Sequence, residues 1–238
     1  MLQGKRVVIV GGSSGIGLAG AKAAAQHGAH VIIVGRSEEK LRVAIEQMNG
    51  KAEAHPGDFQ AEENIKGFFD KIGMFDHLVV TAGGRVLPSS FADTPTSIAR
   101  SVLDGKFWVQ YNVAKHGARH ISPAGSITLF SGLFSQRPSS GFAALAANNG
   151  AIEALGRALA VELAPIRVNV ISPGLVDTPI YDQMPEEQRK SMFAAAANAL
   201  PVGRVGRPED VAQTIIYLMQ NGYTTGCVLD VNGGARLA

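Results

Sequence analysis

Cysteine is almost absent: one residue of 238, Cys227, carries a thiol. A single thiol excludes a disulfide framework within the chain and fits a reducing compartment; its expected role is that of a small buried apolar residue. The apolar stretch in MLQGKRVVIVGG is too short for a signal peptide or a membrane span of roughly 20 residues, and it runs straight into a strand and a glycine turn. Charge of one sign is missing as well. Lys and Arg number 22 against 20 Asp and Glu, interspersed, for a net +2. Without a basic stripe or an acidic tail, nucleic acid is not an expected partner. There is no repeat, no low-complexity tract and no linker. No acid or cysteine cluster accompanies His116 and His120, so no metal site is expected. These absences describe a soluble, cytoplasmic protein that handles a small molecule.

What is present is alternation. Short β-branched runs at 6–10, 30–34, 77–80, 126–130, 167–171 and 228–231, with a weaker one at 52–55, are separated by helical patterns. The helical patterns cover 15–27, 37–48, 61–72, 95–118, 141–163 and 208–220. Most strand runs are apolar without alternation, as parallel strands covered on both faces require. The expected fold is α/β, a doubly wound parallel sheet of Rossmann type, in one domain over 1–238. Residues 180–207 break the rhythm and predict a helical insertion, either a lid over a pocket or a surface excursion.

Directly after the first strand run comes GGSSGIG, in which Gly11, Gly15 and Gly17 are spaced G-x-x-x-G-x-G. A glycine turn feeding a helix start presents backbone N–H groups and the positive end of the helix dipole to a pyrophosphate. A literal G-x-G-x-x-G at Gly15, Gly17 and Gly20 begins inside the helix and is read as coincidence. The second strand run ends in Gly35-Arg36-Ser37. An NAD site needs an acid there for the ribose 2′-hydroxyl. A small residue followed by a guanidinium suits a 2′-phosphate instead, so NADP(H) is favoured over NAD(H). Ser37, with the two glutamates after it, also reads as an ordinary helix cap.

In these places, and in TAGG at 81–84, SPGLVDTP at 172–179 and GCVLDVNGG at 226–234, the chain resembles the short-chain dehydrogenase/reductase family over nearly its whole length. The resemblance implies a nicotinamide cofactor site made of Gly11, Ser13, Ser14, Gly15, Ile16, Gly17, Arg36, Ser37, Asp58, Phe59, Thr81, Ala82, Gly83, Asn149, Pro173, Gly174, Val176 and Thr178. In that scheme Asp58 faces the adenine, and the backbone near Val176 with the Thr178 hydroxyl holds the carboxamide. It also implies a homo-oligomer, a dimer or a tetramer, and a catalytic Asn-Ser-Tyr-Lys tetrad.

The tetrad is not there. GAIEALGRALAVELAP at 150–165 matches the family's stretch just after its Lys, which puts the Lys position at Asn149 and the Tyr position at Leu145. GSITLFSG at 125–132 puts the Ser position at Gly132, and VLDGKF at 102–107 puts the Asn position at Val102. No tyrosine lies between 112 and 180 and no lysine between 116 and 189, so no gap placement restores a Tyr–Lys pair on that helix. The one Y-x-x-x-K in the chain, Tyr111 to Lys115, lies nine and thirteen residues past Val102. At about 100° per residue both face away from the expected pocket. Tyr111 is therefore expected in packing and Lys115 as a solvated charge. Ser131 and Asn149 are the remaining catalytic candidates, with Ser135 and Asn148 nearby. Three functions stay open: an NADP(H)-dependent oxidoreductase with an altered proton relay, a non-catalytic nucleotide-binding sensor or inactive partner subunit, and a carrier of an apolar ligand.

Overall fold

The computed structural model describes residues 2–84 and 86–238. Seven parallel strands form one sheet in the order β3-β2-β1-β4-β5-β6-β7. They are β1 (Arg6–Val10), β2 (His30–Gly35), β3 (Ala52–Pro56), β4 (Phe75–Val80), β5 (Ile121–Phe130), β6 (Arg167–Pro173) and β7 (Val228–Val231). The helices are α1 (Gly15–Gln26), α2 (Glu38–Gln47), α3 (Glu62–Ile72), α4 (Thr96–Leu103), α5 (Val109–Gly117), α6 (Ala143–Glu162), α7 (Glu186–Ala199) and α8 (Pro208–Gln220).

Successive β1 side chains alternate between two cores. Val7 and Ile9 join α1, α2 and α8 on one face, while Val8 and Val10 join α3, α5 and α6 on the other. Burial on both faces is why the strand reads as continuously apolar. β3 reads weakly because it is an edge strand with no fully buried residue. Gly28, at φ +84°, ends the first helical unit as expected. Gly20 serves packing rather than phosphate binding: a Cβ there would lie 2.9 Å from Ile215 Cδ1 on α8.

Two local expectations change, and a third, the helical insertion, takes form as α7. The helix predicted over 95–118 is not uniform. A π-helical segment, Asp104–Trp108, separates α4 from α5. Cys227 is exposed rather than buried. It precedes the edge strand β7, and its N–H donates to Asn169 Oδ1, which turns the side chain outward. The insertion over 180–207 contains α7, which buries none of its residues. A parallel bridge between Val176 and Gly206 closes its base. No helix among the described residues is long and apolar enough to cross a membrane.

Candidate active site

The strand order reverses between β1 and β4, and a cleft of about 720 Å³ opens there at the carboxyl ends of the strands. Gly15, at φ +52°, turns the chain from β1 into α1 and faces Thr178. Gly17 can carry no side chain, because a Cβ would stand 2.2 Å from the Gly11 carbonyl oxygen. Ser14, the N-cap of α1, makes no side-chain cap, and the first turn holds no acid. The N–H groups of that turn are left facing the cleft, which is the donor set a pyrophosphate requires.

Of the residues expected at a cofactor, Gly11, Ser13, Ser14, Gly15, Ile16, Gly17, Arg36, Ser37, Asp58, Phe59, Thr81, Ala82, Gly83 and Thr178 line this cleft. Pro173, Gly174, Val176 and Asn149 do not. Gly174 lies against the Asn232 backbone, and Val176 is buried behind the wall. Ser37 is both a lining residue and the cap of α2, accepting from the Lys40 N–H. Lys40, not anticipated, joins the lining beside Arg36. Both are exposed, and neither is paired with a carboxylate among the described residues. At Gly35 a Cβ would lie 2.9 Å from Ser13 Oγ, so a side chain there would have to turn that hydroxyl aside.

Behind the cleft lining, Gly132 and Asn149 of the tetrad positions are bonded to each other, and Val102 is bonded to the neighbouring Asn148. Asn148 donates from Nδ2 to the Val102 carbonyl (2.7 Å), and Asn149 donates from Nδ2 to the Gly132 carbonyl (3.2 Å). Both amides are buried. Ser135 Oγ lies 3.0 Å from the Gly132 carbonyl and 2.5 Å from Glu153 Oε1. Ser131 Oγ is buried with no partner among the described residues. The group the sequence reading missed is Lys106, in the π-helical segment. Its Nζ donates to the Ser131 carbonyl and to Asn149 Oδ1, each at 2.7 Å. Burial pushes this ammonium down to about 8, against the opposing field of Glu153. One turn on, Gln110 fixes the helix to β5, donating to the Phe130 carbonyl (2.9 Å) and accepting its N–H (2.8 Å).

Tyr111 and Lys115 stay away from the cleft despite the distorted helix. Tyr111 packs edge-on to Trp108, with ring centroids 5.5 Å apart. Lys115 is not simply solvated: it pairs with Glu62 at 2.7 Å, next to the Glu62–His116 contact at 2.8 Å.

Comparison with known proteins agrees with this architecture. Residues 10–236 match the family model described as enoyl-(acyl carrier protein) reductase. The short-chain dehydrogenase/reductase ATR9 of Stachybotrys chlorohalonatus is 35% identical, the alignment covering 99% of this chain and 98% of that one. A solved small-chain dehydrogenase in complex with NADPH is 38% identical with a TM-score of 0.87, over 99% of this chain and 100% of that one. The MalC reductase/Diels-Alderase of Malbranchea aurantiaca is 31% identical with a TM-score of 0.93, over 100% and 98% of the two chains. Fold, cleft and kinship over almost the full length agree, and the chain belongs to the short-chain dehydrogenase/reductase family.

Proposed function

We propose that this chain is an NADP(H)-dependent oxidoreductase whose proton relay differs from the family's tetrad. The observation that carries the reading is the cationic end of the cleft. Arg36 and Lys40 stand there without a carboxylate partner among the described residues, and Gly35 leaves no acid where a bare ribose 2′-hydroxyl would need one. A guanidinium and an ammonium at that point favour a 2′-phosphate over a bare 2′-hydroxyl. The uncapped start of α1 suits a pyrophosphate, and Thr178, across from Gly15 in the same lining, supports a hydroxyl contact to the carboxamide. A bound nicotinamide supplies hydride chemistry. The protein's own part is to bind, to orient and to manage the proton. A similar protein solved with NADPH lends support.

Calorimetric titration with NADPH and NADH, beside NADPH oxidation over a panel of ketones, aldehydes and quinones, tests the proposal. NADPH binding with turnover of at least one class is expected. NADPH binding with no turnover would favour the alternative of a nucleotide-binding subunit. That alternative has support in Leu145 at the Tyr position and in the Val102 carbonyl already taken by Asn148. Equal affinity for the two cofactors would refute the NADP(H) assignment.

A further inference from the structure

We infer that Lys106 is the proton donor of this site, standing in from the π-helical segment for the absent Tyr–Lys pair. The inference rests on the NADP(H)-dependent reading above. Its own ground is geometric. The Lys106 stem runs beside the Gly83 turn that lines the cleft: a Cβ on Gly83 would lie 3.6 to 3.8 Å from three of its methylene carbons. The head lies between the Ser131 carbonyl at the end of β5 and Asn149 on α6. Those residues are one step from the family's Ser position and at its Lys position. The Nζ atom therefore sits against the old Lys position and beside the old Ser position, although it is delivered by a different helix.

Its partners are neutral. No carboxylate lies within ion-pair distance of Nζ among the described residues, so a partly buried cation is held without a counter-ion. Structural lysines are seldom left so, because an unpaired buried charge is costly. The number of acceptors fits a group that gives up a proton. An ammonium has three N–H bonds and a neutral amine has two. The protein provides two acceptors, both at 2.7 Å. The neutral amine then keeps both of its N–H bonds in place among the described residues, with its lone pair where the third proton had been, and that third proton is the one left over. Gln110, clamped to Phe130 one turn along, keeps the segment from moving as charge changes.

The step balances. The chemistry a reduced nicotinamide supplies is hydride: the substrate's carbonyl carbon gains a C–H bond, the C=O π pair moves to oxygen, and the ring is left oxidised. The new alkoxide takes a proton from Lys106 Nζ. The N–H bond breaks with its electron pair kept on nitrogen, and an O–H bond forms. The amine stays bonded to the Ser131 carbonyl and Asn149 Oδ1 and is reprotonated from water. The ammonium, pushed down to about 8 by burial, supports this role at neutral pH. Around it, α6 contributes Glu153, whose charge favours the protonated form, and the π-helical segment itself contributes Asp104. The end of β5 and the Gly83 turn contribute no charged group among the described residues.

The test uses the full chain and three variants: Lys106→Met, Lys106→Arg and, as a control, Lys115→Met. NADPH affinity is read by calorimetry and reduction by NADPH oxidation with 9,10-phenanthrenequinone and aryl ketones. The Lys106 amine is read by NMR of labelled lysine, assigned by its loss in Lys106→Met. Both Lys106 variants should bind NADPH within roughly threefold of wild type and lose roughly 10²- to 10⁴-fold in kcat/KM. Arginine should not rescue, since it keeps the charge and holds its proton. Wild-type kcat/KM should be flat below about pH 8 and fall tenfold per unit above it; that limb should be gone in both variants, and Lys115→Met should behave as wild type. In the free protein Lys106 should titrate near 8, and its resonance should move on saturation with NADPH. Full activity in Lys106→Arg would overturn the inference. So would a titration above about 10, a resonance indifferent to bound NADPH, or NADPH binding with no probe reduced by the wild type. Each of these leaves the cofactor assignment standing. Failure of the wild type to bind NADPH removes that assignment and the inference with it.

Discussion

Replacing Arg36 by Ala should weaken NADPH far more than NADH. The guanidinium is exposed, faces the cleft and makes no competing ion pair among the described residues, so a bound 2′-phosphate gains it at no structural cost. A charge-assisted hydrogen bond of this kind contributes about 1.5–3 kcal/mol. Its loss corresponds to roughly 10- to 150-fold in the NADPH dissociation constant. Lys40 lies in the same lining, so some preference should survive and should fall as salt rises. NADH, with no phosphate at that position, should change by less than about threefold. Arg36→Asp should erase or reverse the preference. The reverse design is informative too. Gly35→Asp alone should weaken both cofactors, because its Cβ meets Ser13 Oγ at 2.9 Å. Adding Ser13→Gly removes that contact and should let the new carboxylate hold the NADH ribose. Calorimetry at two salt concentrations reads every one of these values. Equal wild-type affinity for NADPH and NADH, unmoved by Arg36→Ala, would refute the reasoning.

Gln110→Leu removes the acceptor of the buried Phe130 N–H and should cost about 1–3 kcal/mol in denaturant unfolding, with m unchanged. Tyr111→Phe and Lys115→Ala should leave any turnover intact. The second breaks only a half-exposed pair with Glu62 and should leave the denaturant midpoint almost unmoved. A homodimer or tetramer is expected in light scattering, with the face carrying Trp108 and Tyr111, exposed at 47% and 38%, at the interface. Trp108→Glu should shift the assembly toward monomer, and a monomeric wild type would defeat the expectation. Burial depresses His77 to about 4, with Ser126 its hydrogen-bond partner. The unfolded state binds that proton first, so stability should fall as pH drops from about 6.5 to about 4, by up to about 3 kcal/mol, and His77→Asn should flatten the slope.

The sheet was legible because its strands are covered on both faces. Val7 to Val10 alternate between two cores, and only a continuous apolar run can serve both. The glycine loop was legible because steric exclusion leaves a mark in sequence. Gly17 has no alternative with the Gly11 carbonyl 2.2 Å from its missing Cβ. Arg36 could be read because the position before it lacked an acid. Cys227 was misread, since composition carries no information about which side of an edge strand a residue turns to. The π-helical segment was invisible for a related reason: DGKFW contains nothing that separates a widened turn from an ordinary one beyond a helix-weak Gly105.

Lys106 was within reach of the reasoning that set Tyr111 aside. Measured from Val102, nine residues carry Tyr111 to the far side of the helix. Four carry Lys106 to about 40° past a full turn, on the same side as the family's Asn position. The Tyr–Lys spacing is conspicuous in the sequence, and a lone lysine five residues before it is not. A motif search asks whether a known residue occupies a known position. At this site the position and the charge have parted: 149 holds an amide, and a cation reaches that amide from 106. The two partners of that cation come from the end of β5 and from α6, while the lysine itself comes from the π-helical segment. Loss of the Tyr–Lys pair from α6 is therefore not loss of a cation beside that helix. The same wheel, applied to every ionisable residue of the helices flanking a cleft, finds such transfers from sequence alone.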